Sequence, residues 1–537
     1  MAFPLPVFFP SLPELEDPIR SELFGIERLE QHAASLAVAQ GVAEGLAPQR
    51  ALLPRVTENG RVLREANRLI AEAVRDDRWI TPAAEWLVDN FFVIDEQLRE
   101  IRDDLPVGFY RELPSLAEGP LAGYPRVYGI AWAFVAHTDS HFDPDTLRRF
   151  VKAYQRVQPL TIGELWALTI SLRVVLVENL RRVADAIVRG RAARLEADAL
   201  ADEFLGTDNP AGRTFASVMT RNDSPRLVTA FAVELVQRLR DRDPAVTPAL
   251  AWLNQRLSAQ GTTADEIALV EHQRQAAMTV TVRNVITSMR LMSALDWSAF
   301  FESVSLVDEV LRDGDDFAAM DFASRDGYRK AIEALSRGSG RTELEIARKA
   351  IAHAGRVRAQ LTGAPDASNL RRAEPGYYLV GGGRRDFEAA VGFRPPVALR
   401  LRRVFTDYAT PGYLGSLGLL TAGIVAVPLG VAFDHMTWAG LVVLGVLALV
   451  PASDLAVALL NRFITAAVTP NLLSRLEWAT GVPPEFRTMV VVPTLLTSLV
   501  DVEAQVEQME VHYLANADGD VRFALVSDWQ DADTEMA

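Results

Sequence analysis

From about Glu14 to Gly363, Leu, Ile, Val and Ala recur at three- and four-residue spacing, with Glu and Arg between them. That period predicts amphipathic helices packed on a shared core. Within 165–188, Leu168, Leu172, Val175, Leu176 and Leu180 form one stripe, and Arg173, Arg181 and Arg182 lie off it. Breaks fall at Pro54–Arg55, Pro106–Gly108, Pro114, Pro159, Gly206–Gly212, Asp243–Pro248 and Gly338–Gly340. Short Pro, Gly and Asp links of this kind join helices laid side by side. No fixed-period repeat occurs, which argues against a regular solenoid.

The pattern changes near Gly363–Glu374. Residues 375–385, Pro-Gly-Tyr-Tyr-Leu-Val-Gly-Gly-Gly-Arg-Arg, read as a short strand, a glycine turn and a basic segment. Tyr413 to Phe433 then runs without a charged residue, long enough at ~1.5 Å per residue to span one hydrocarbon core of about 30 Å. Asp434–His435 links it to a second uncharged stretch, Met436 to Ser453, and so short a link predicts an antiparallel transmembrane hairpin. Arg394, Arg400, Arg402 and Arg403 precede the hairpin, Arg462 and Arg475 follow it, and the link has no Lys or Arg. The positive-inside rule therefore expects both flanks in the cytoplasm. From Asp454 onward polar residues interrupt the apolar run, which reads as a membrane exit passing into an interfacial helix. The apolar N-terminus is broken by Pro4, Pro6 and Pro10 and lacks a basic flank, so no cleaved signal is expected.

Beyond the hairpin, Thr488–Leu496 is a compact apolar run rich in β-branched residues, Ser498–Glu510 has helical spacing, and Arg522–Val526 is a second apolar run. This predicts a strand–helix–strand unit opening an α/β domain with a parallel sheet. Asp528 would sit just past the second strand, at the carboxyl end where open α/β sheets bind ligands. A nucleotide-sugar transferase uses carboxylates there to hold the nucleotide, and others to hold a divalent cation on the diphosphate. Asp528 is the expected nucleotide contact and Asp531 a weaker one; Asp531-Ala-Asp533 has a D-x-D shape that a solvated loop can also show. The expected fold is thus mainly α: a helical cytoplasmic region at 1–395, the hairpin and its exit at 396–470, and the start of an α/β domain at 471–537.

Composition narrows the chemistry. The chain of 537 residues has no Cys, which excludes disulfides, thiolate metal sites and thiol nucleophiles. A net charge of −15 argues against a broad nucleic-acid-binding surface. Other clusters are weak. Gly381–Gly383 before Arg384 and Arg385 lacks the G-K-[ST] ending of a phosphate loop and favours a turn. Ala136-His-Thr-Asp-Ser-His141 offers three metal ligands, two His and Asp139, on one loop, but reads better as helix-end capping. Glu85 with Asp89, Glu96 with Glu100, and Glu164 near Trp166 suggest glycoside hydrolysis only faintly, since acidic pairs on helix faces are usually solvated.

Longer strings carry more. They are Glu22-Leu-Phe-Gly-Ile-Glu, Ile80-Thr-Pro-Ala-Ala-Glu-Trp-Leu-Val-Asp-Asn-Phe, Leu113-Pro-Ser-Leu, Tyr124-Pro-Arg-Val-Tyr and Pro159-Leu-Thr-Ile-Gly-Glu-Leu-Trp-Ala-Leu. Further along stand Met320-Asp-Phe-Ala-Ser-Arg-Asp-Gly-Tyr-Arg, Gly376-Tyr-Tyr-Leu, Phe486-Arg-Thr-Met-Val-Val-Val-Pro-Thr-Leu-Leu, Glu510-Val-His-Tyr-Leu-Ala-Asn and Arg522-Phe-Ala-Leu-Val-Ser-Asp-Trp. With these the chain resembles, over essentially its whole length, the N-terminal part of the cyclic β-1,2-glucan synthases of Gram-negative bacteria.

The resemblance implies an inner-membrane enzyme that polymerises glucose from UDP-glucose into β-1,2-linked rings, a periplasmic glucan. It implies a GT-A-type transferase domain using Mg or Mn, with UDP-glucose, the growing glucan and inner-membrane lipid as partners and no nucleic acid. Only 47 residues follow Val490, whereas a GT-A domain needs on the order of 200. No catalytic residue is therefore expected within the chain, and by itself it should not be catalytic. The alternative is a non-catalytic, membrane-anchored adaptor of a separate polysaccharide synthase.

Overall fold

The computed structural model describes residues 17–43, 50–105, 107–205, 228–240, 247–314, 317–360, 367–467, 473–478, 481–496, 498–516 and 519–529. It is mainly helical and divides into two compact units, 1–306 and 307–537.

The N-terminal unit is built around one helix of 44 residues, Ile162–Leu205. Helices Leu52–Arg75, Phe91–Asp104, Arg126–His137, Thr229–Leu239 and Ala264–Ala294 pack against it. Its stretch from Ser171 to Leu180 is buried without a break, so the helix is enclosed on every face rather than along one stripe. The arginines off the expected stripe are therefore not solvated: Arg173 and Arg182 are buried. They are held inside because acidic partners come to meet them.

Glu178, wholly buried, is the centre of that arrangement. Arg55 grips it in a fork, Nη2 to Oε1 at 2.6 Å and Nε to Oε2 at 2.9 Å. Asn59 donates to Oε2 at 2.7 Å, while Arg181 and Arg182 donate to Oε1 at 3.0 and 2.9 Å. Burial opposes the charge, but the Arg55 hydrogen bonds and charge outweigh it and hold the carboxyl well below its ordinary value. The neighbouring Asn179 receives the Ile19 N–H at 2.6 Å and donates to Ser140 Oγ at 2.8 Å, fastening the segment around Ile19 to the long helix. A satellite core of Phe231, Leu235, Leu239, Leu253 and Leu257 closes the far end.

The helices start where the sequence supplies caps. Thr81 and Asp143, each followed by proline, accept from the backbone N–H three residues on, and Thr263 with Glu266 forms a reciprocal capping box.

In the C-terminal unit, helices Phe322–Ser339, Glu343–Gln360, Pro375–Leu379 and Arg384–Val391 pack around a second buried fork, Arg329 to Asp308 at 2.9 and 2.5 Å. Residues 375–379 are helical, not the strand expected from the sequence. Pro375 sits in the first turn, where its fixed φ suits a helix, and Tyr378 and Leu379 are buried.

Val397–Asp407 is a helix whose Val397, Leu401 and Val404 lie exposed, with Arg400, Arg402 and Arg403 interleaved. Two helices long and apolar enough to cross a membrane follow, Ala409–Ala432 and Trp438–Ala467. They pack on one another, burying Ala452, Ala456 and Leu460 on one face of the second and Thr421 of the first. The second helix continues through Asp454 without a break; its 30 residues reach about 45 Å, longer than the hydrocarbon core.

After it, the chain returns to the helical part of its unit. Met320 and Leu476 form an antiparallel bridge, the Asp321 N–H donates to Arg475 O at 2.9 Å, and the Glu477 N–H to Ala319 O at 2.8 Å.

Glu178→Gln keeps the shape but removes the buried negative charge that Arg55, Arg181 and Arg182 share, and should destabilise the purified chain by about 3–5 kcal/mol. The folded carboxyl lies below its unfolded value, so its stabilisation is complete above about pH 4.5 and is lost as pH falls below that. Urea unfolding in detergent between about pH 5 and 3 should show wild type losing stability on acidification more steeply than the variant; equal slopes would contradict this role.

Candidate functional site

The strand–helix–strand unit places Asp528. β1 (Thr488–Leu496) and β2 (Val521–Trp529) pair in parallel, in register from Thr488 opposite Val521 to Leu496 opposite Trp529. Helix Leu499–Ala515 crosses between them, started by Ser498, whose hydroxyl accepts the Asp501 N–H at 3.2 Å. Valine, leucine and threonine dominate β1, because a parallel ladder favours β-branched and apolar side chains, while β2 mixes Val521, Phe523, Leu525 and Val526 with Arg522, Ser527 and Asp528.

The turn into β2 depends on Gly519. It has φ +83°, and a Cβ there would lie 2.1 Å from the Val482 backbone nitrogen. This close approach lets Val482 and Gly519 bridge in parallel, with the Asp520 N–H donating to Val482 O at 2.7 Å. Asp520 accepts from Arg487 Nε at 2.7 Å, tying the start of β2 to that of β1.

Asp528 is the penultimate residue of β2, opposite Leu495, and is exposed. The sequence placed it just beyond a strand ending at Val526; β2 runs three residues further because β1 offers pairing as far as Leu496. The carboxylate stays at the carboxyl end of a parallel pair, the edge at which α/β sheets take ligands. Asp531 and Asp533 lie outside the described residues. Among the described residues no group of three or more His, Asp or Glu is gathered in a way that could hold a metal ion.

Of the other sequence candidates, Glu85, Asp89 and Glu96 are exposed on helix faces and the rest become structural. Asp139, buried at φ +48°, accepts from Thr281 Oγ1 at 2.7 Å, and Ser140 O accepts from Ser288 Oγ at 2.8 Å. His137 stacks on Phe24 at 4.0 Å. The 136–141 turn thus locks helices together instead of collecting ligands. Glu164 is buried, forked by Arg126 at 2.7 and 2.5 Å, and accepts the Thr161 N–H at 2.9 Å; Trp166 stacks on Phe301 at 4.5 Å. Glu100 pairs with Arg173. Gly381 and Gly383 spend their N–H groups on Gly376 O and Tyr377 O, each at 3.0 Å, in a tight link between two helices.

Sequence reasoning missed a cavity of about 610 Å³ in the N-terminal unit. Trp79, Arg194, Glu234 and Glu271 line it from four different segments, so no local motif marks it. Burial, and then the Asp198 carboxylate, raises Glu234 above its ordinary value.

No family model matches the chain. It is 36% identical over 527 residues, 98% of its length, to cyclic beta-(1,2)-glucan synthase NdvB of Rhizobium meliloti (strain 1021). The matched stretch makes up 18% of that protein, so the chain spans about a fifth of the length of this curated relative.

Gly519→Ala should open the Val482–Gly519 bridge and release β2. Proteolysis within 519–529 should become at least several-fold faster than in wild type while helical circular dichroism holds, and an unchanged rate would contradict the packing described. Over nearly all its length the chain is a homologue of a cyclic β-1,2-glucan synthase, as the resemblance in its sequence implied.

Proposed function

We propose that this chain is the helical, membrane-anchoring part of an inner-membrane glucosyltransferase that builds β-1,2-linked glucan from UDP-glucose. The observation that carries the reading is the match to NdvB along the whole chain, ending on a parallel strand pair with Asp528 at its carboxyl end. The β1–helix–β2 unit would open a GT-A-like domain. Its strands leave Val490, Val491, Leu495 and Val526 exposed, whereas parallel sheets are normally covered on both faces. Further layers of the whole protein would cover them. Asp528 would accept hydrogen bonds from the nucleotide, with Asp531 as a weaker second contact. The Mg or Mn ion expected of such a transferase would be held by carboxylates of the complete transferase domain.

The membrane arrangement follows the same reading. The segment after the second apolar helix docks on residues 319–324, which precede the first. A hairpin with both ends on one side of the bilayer allows that contact. The arginine-rich flanks and the arginine-free link favour the cytoplasm for that side. Val397, Leu401 and Val404, with interleaved arginines, suit a helix lying in the interface just before the first span.

Membranes from cells expressing the whole protein should incorporate labelled glucose from UDP-glucose into neutral β-1,2-linked rings, and Asp528→Asn should lower that incorporation at least about tenfold. Absence of the product with the protein present would refute the reading.

Because the chain has no native cysteine, single introduced cysteines report topology cleanly. His435→Cys in the link should react with an impermeant maleimide from the periplasmic side, and Glu477→Cys only after permeabilisation. The reverse pattern would overturn the orientation.

A further inference from the structure

The cavity in the N-terminal unit has the chemistry of a carbohydrate site, and we propose that it binds a neutral oligosaccharide, a short stretch of β-linked glucan. Its volume of about 610 Å³ falls within the ~300–1,000 Å³ usual for small-molecule sites. One wall is apolar, with Ile70, Ile187 and Val233, and Trp79 stands on the loop between helices Leu52–Arg75 and Pro82–Asp89. Trp79 is 66% exposed although it is a large aromatic, and the Arg194 guanidinium lies 5.5 Å from its ring centroid. A pyranose ring presents C–H faces that lie on such an indole and a rim of hydroxyls, each of which both donates and accepts.

The polar lining answers that rim. Gln237, Gln275 and His272 offer donors and acceptors on planar groups, and Glu234 offers an acceptor. Glu271 closes the inner end of this lining: it is 2% exposed, and its Oε1 accepts from Arg194 and Gln275, each at 2.9 Å, which fixes both of those lining side chains in place.

Charge decides against an anion. Arg78, Arg191 and Arg194 line the cavity, but so do Asp198, Glu234 and Glu271. The cations are also engaged: Arg194 with Glu271, Arg78 with Asp76 at 3.3 Å, and Arg191 with Leu69 O at 3.2 Å. A nucleotide diphosphate would meet as many carboxylates as guanidiniums, whereas a neutral polyol meets no net field.

The identity of the sugar as a glucan rests on the proposed function; the site itself does not. The test is calorimetric titration of the purified full chain in detergent with short linear β-1,2-linked gluco-oligosaccharides, and separately with UDP-glucose. The oligosaccharide should bind saturably, Trp79→Ala should weaken it about tenfold, and Trp79→Phe should hold close to wild type. Trp79 is exposed enough for both variants to fold, which circular dichroism would check. No saturable oligosaccharide binding, binding indifferent to Trp79→Ala, or a Trp79-dependent preference for UDP-glucose would overturn the proposal. The titration reads no transfer, so loss of glucose incorporation in membranes would leave it standing, and absence of binding would leave the transferase reading intact.

Discussion

A carboxylate with no access to water must be met by positive charge from its surroundings, and Glu178 imposes that demand at the middle of a helix enclosed on all sides. Arg55 and Asn59 have to arrive from Leu52–Arg75, at one height along the long helix. The same device recurs along Ile162–Leu205: Glu164 takes Arg126, Arg173 takes Glu100, and Arg194 takes Glu271. Each rung fixes a different neighbouring helix. Buried ion pairs add little net stability over apolar packing. What they add here is register, since sliding a partner by one turn would strand a charge in the core.

This explains what could be read from the sequence and what could not. The three- and four-residue period around Leu168, Leu172 and Val175 reported a helix correctly, because period is local information. It could not report that Arg173 and Arg182 are inside, because Arg173's partner Glu100 is 73 positions away and Glu178, which holds Arg182, takes Arg55 from 123 positions away. Off-stripe arginine next to Glu looks the same whether it faces solvent or a second layer of helices. The pair of long apolar helices and the β1–helix–β2 unit were legible for the opposite reason, being built from neighbouring segments. The strand expected at Pro375–Val380 failed because Tyr-Tyr-Leu-Val has strand propensity, while burial of Tyr378 and Leu379 against other helices favours a single turn.

The last rung of the ladder is also a wall of the cavity. Arg194 holds Glu271 on one side and stands beside Trp79 on the other. The contact that sets the register of Ala264–Ala294 therefore also orients the cavity's aromatic ring. Residues from 79, 194, 234 and 271 converge there only once the long helix has gathered its neighbours. A motif scan of the sequence cannot anticipate such a site: of the acidic residues it does find, Glu85, Asp89 and Glu96 are exposed and Glu164 is spent on the core.

Distance along the chain then limits where glucosyl transfer would occur on the proposed reading. Glu477 is held to Ala319 just after the second apolar helix, and β1 begins at Thr488. The intervening chain reaches at most about 35–40 Å when fully extended. The first strand of the α/β unit is thereby tethered to the helices that precede the two apolar ones, not merely to the end of the second apolar helix. Asp528 follows from that anchor through fixed steps: β1 is set by the tether, β2 by its register with β1, and the carboxylate by its place opposite Leu495. A domain assembled on this pair would therefore stay within a bounded distance of the helical part of its own unit.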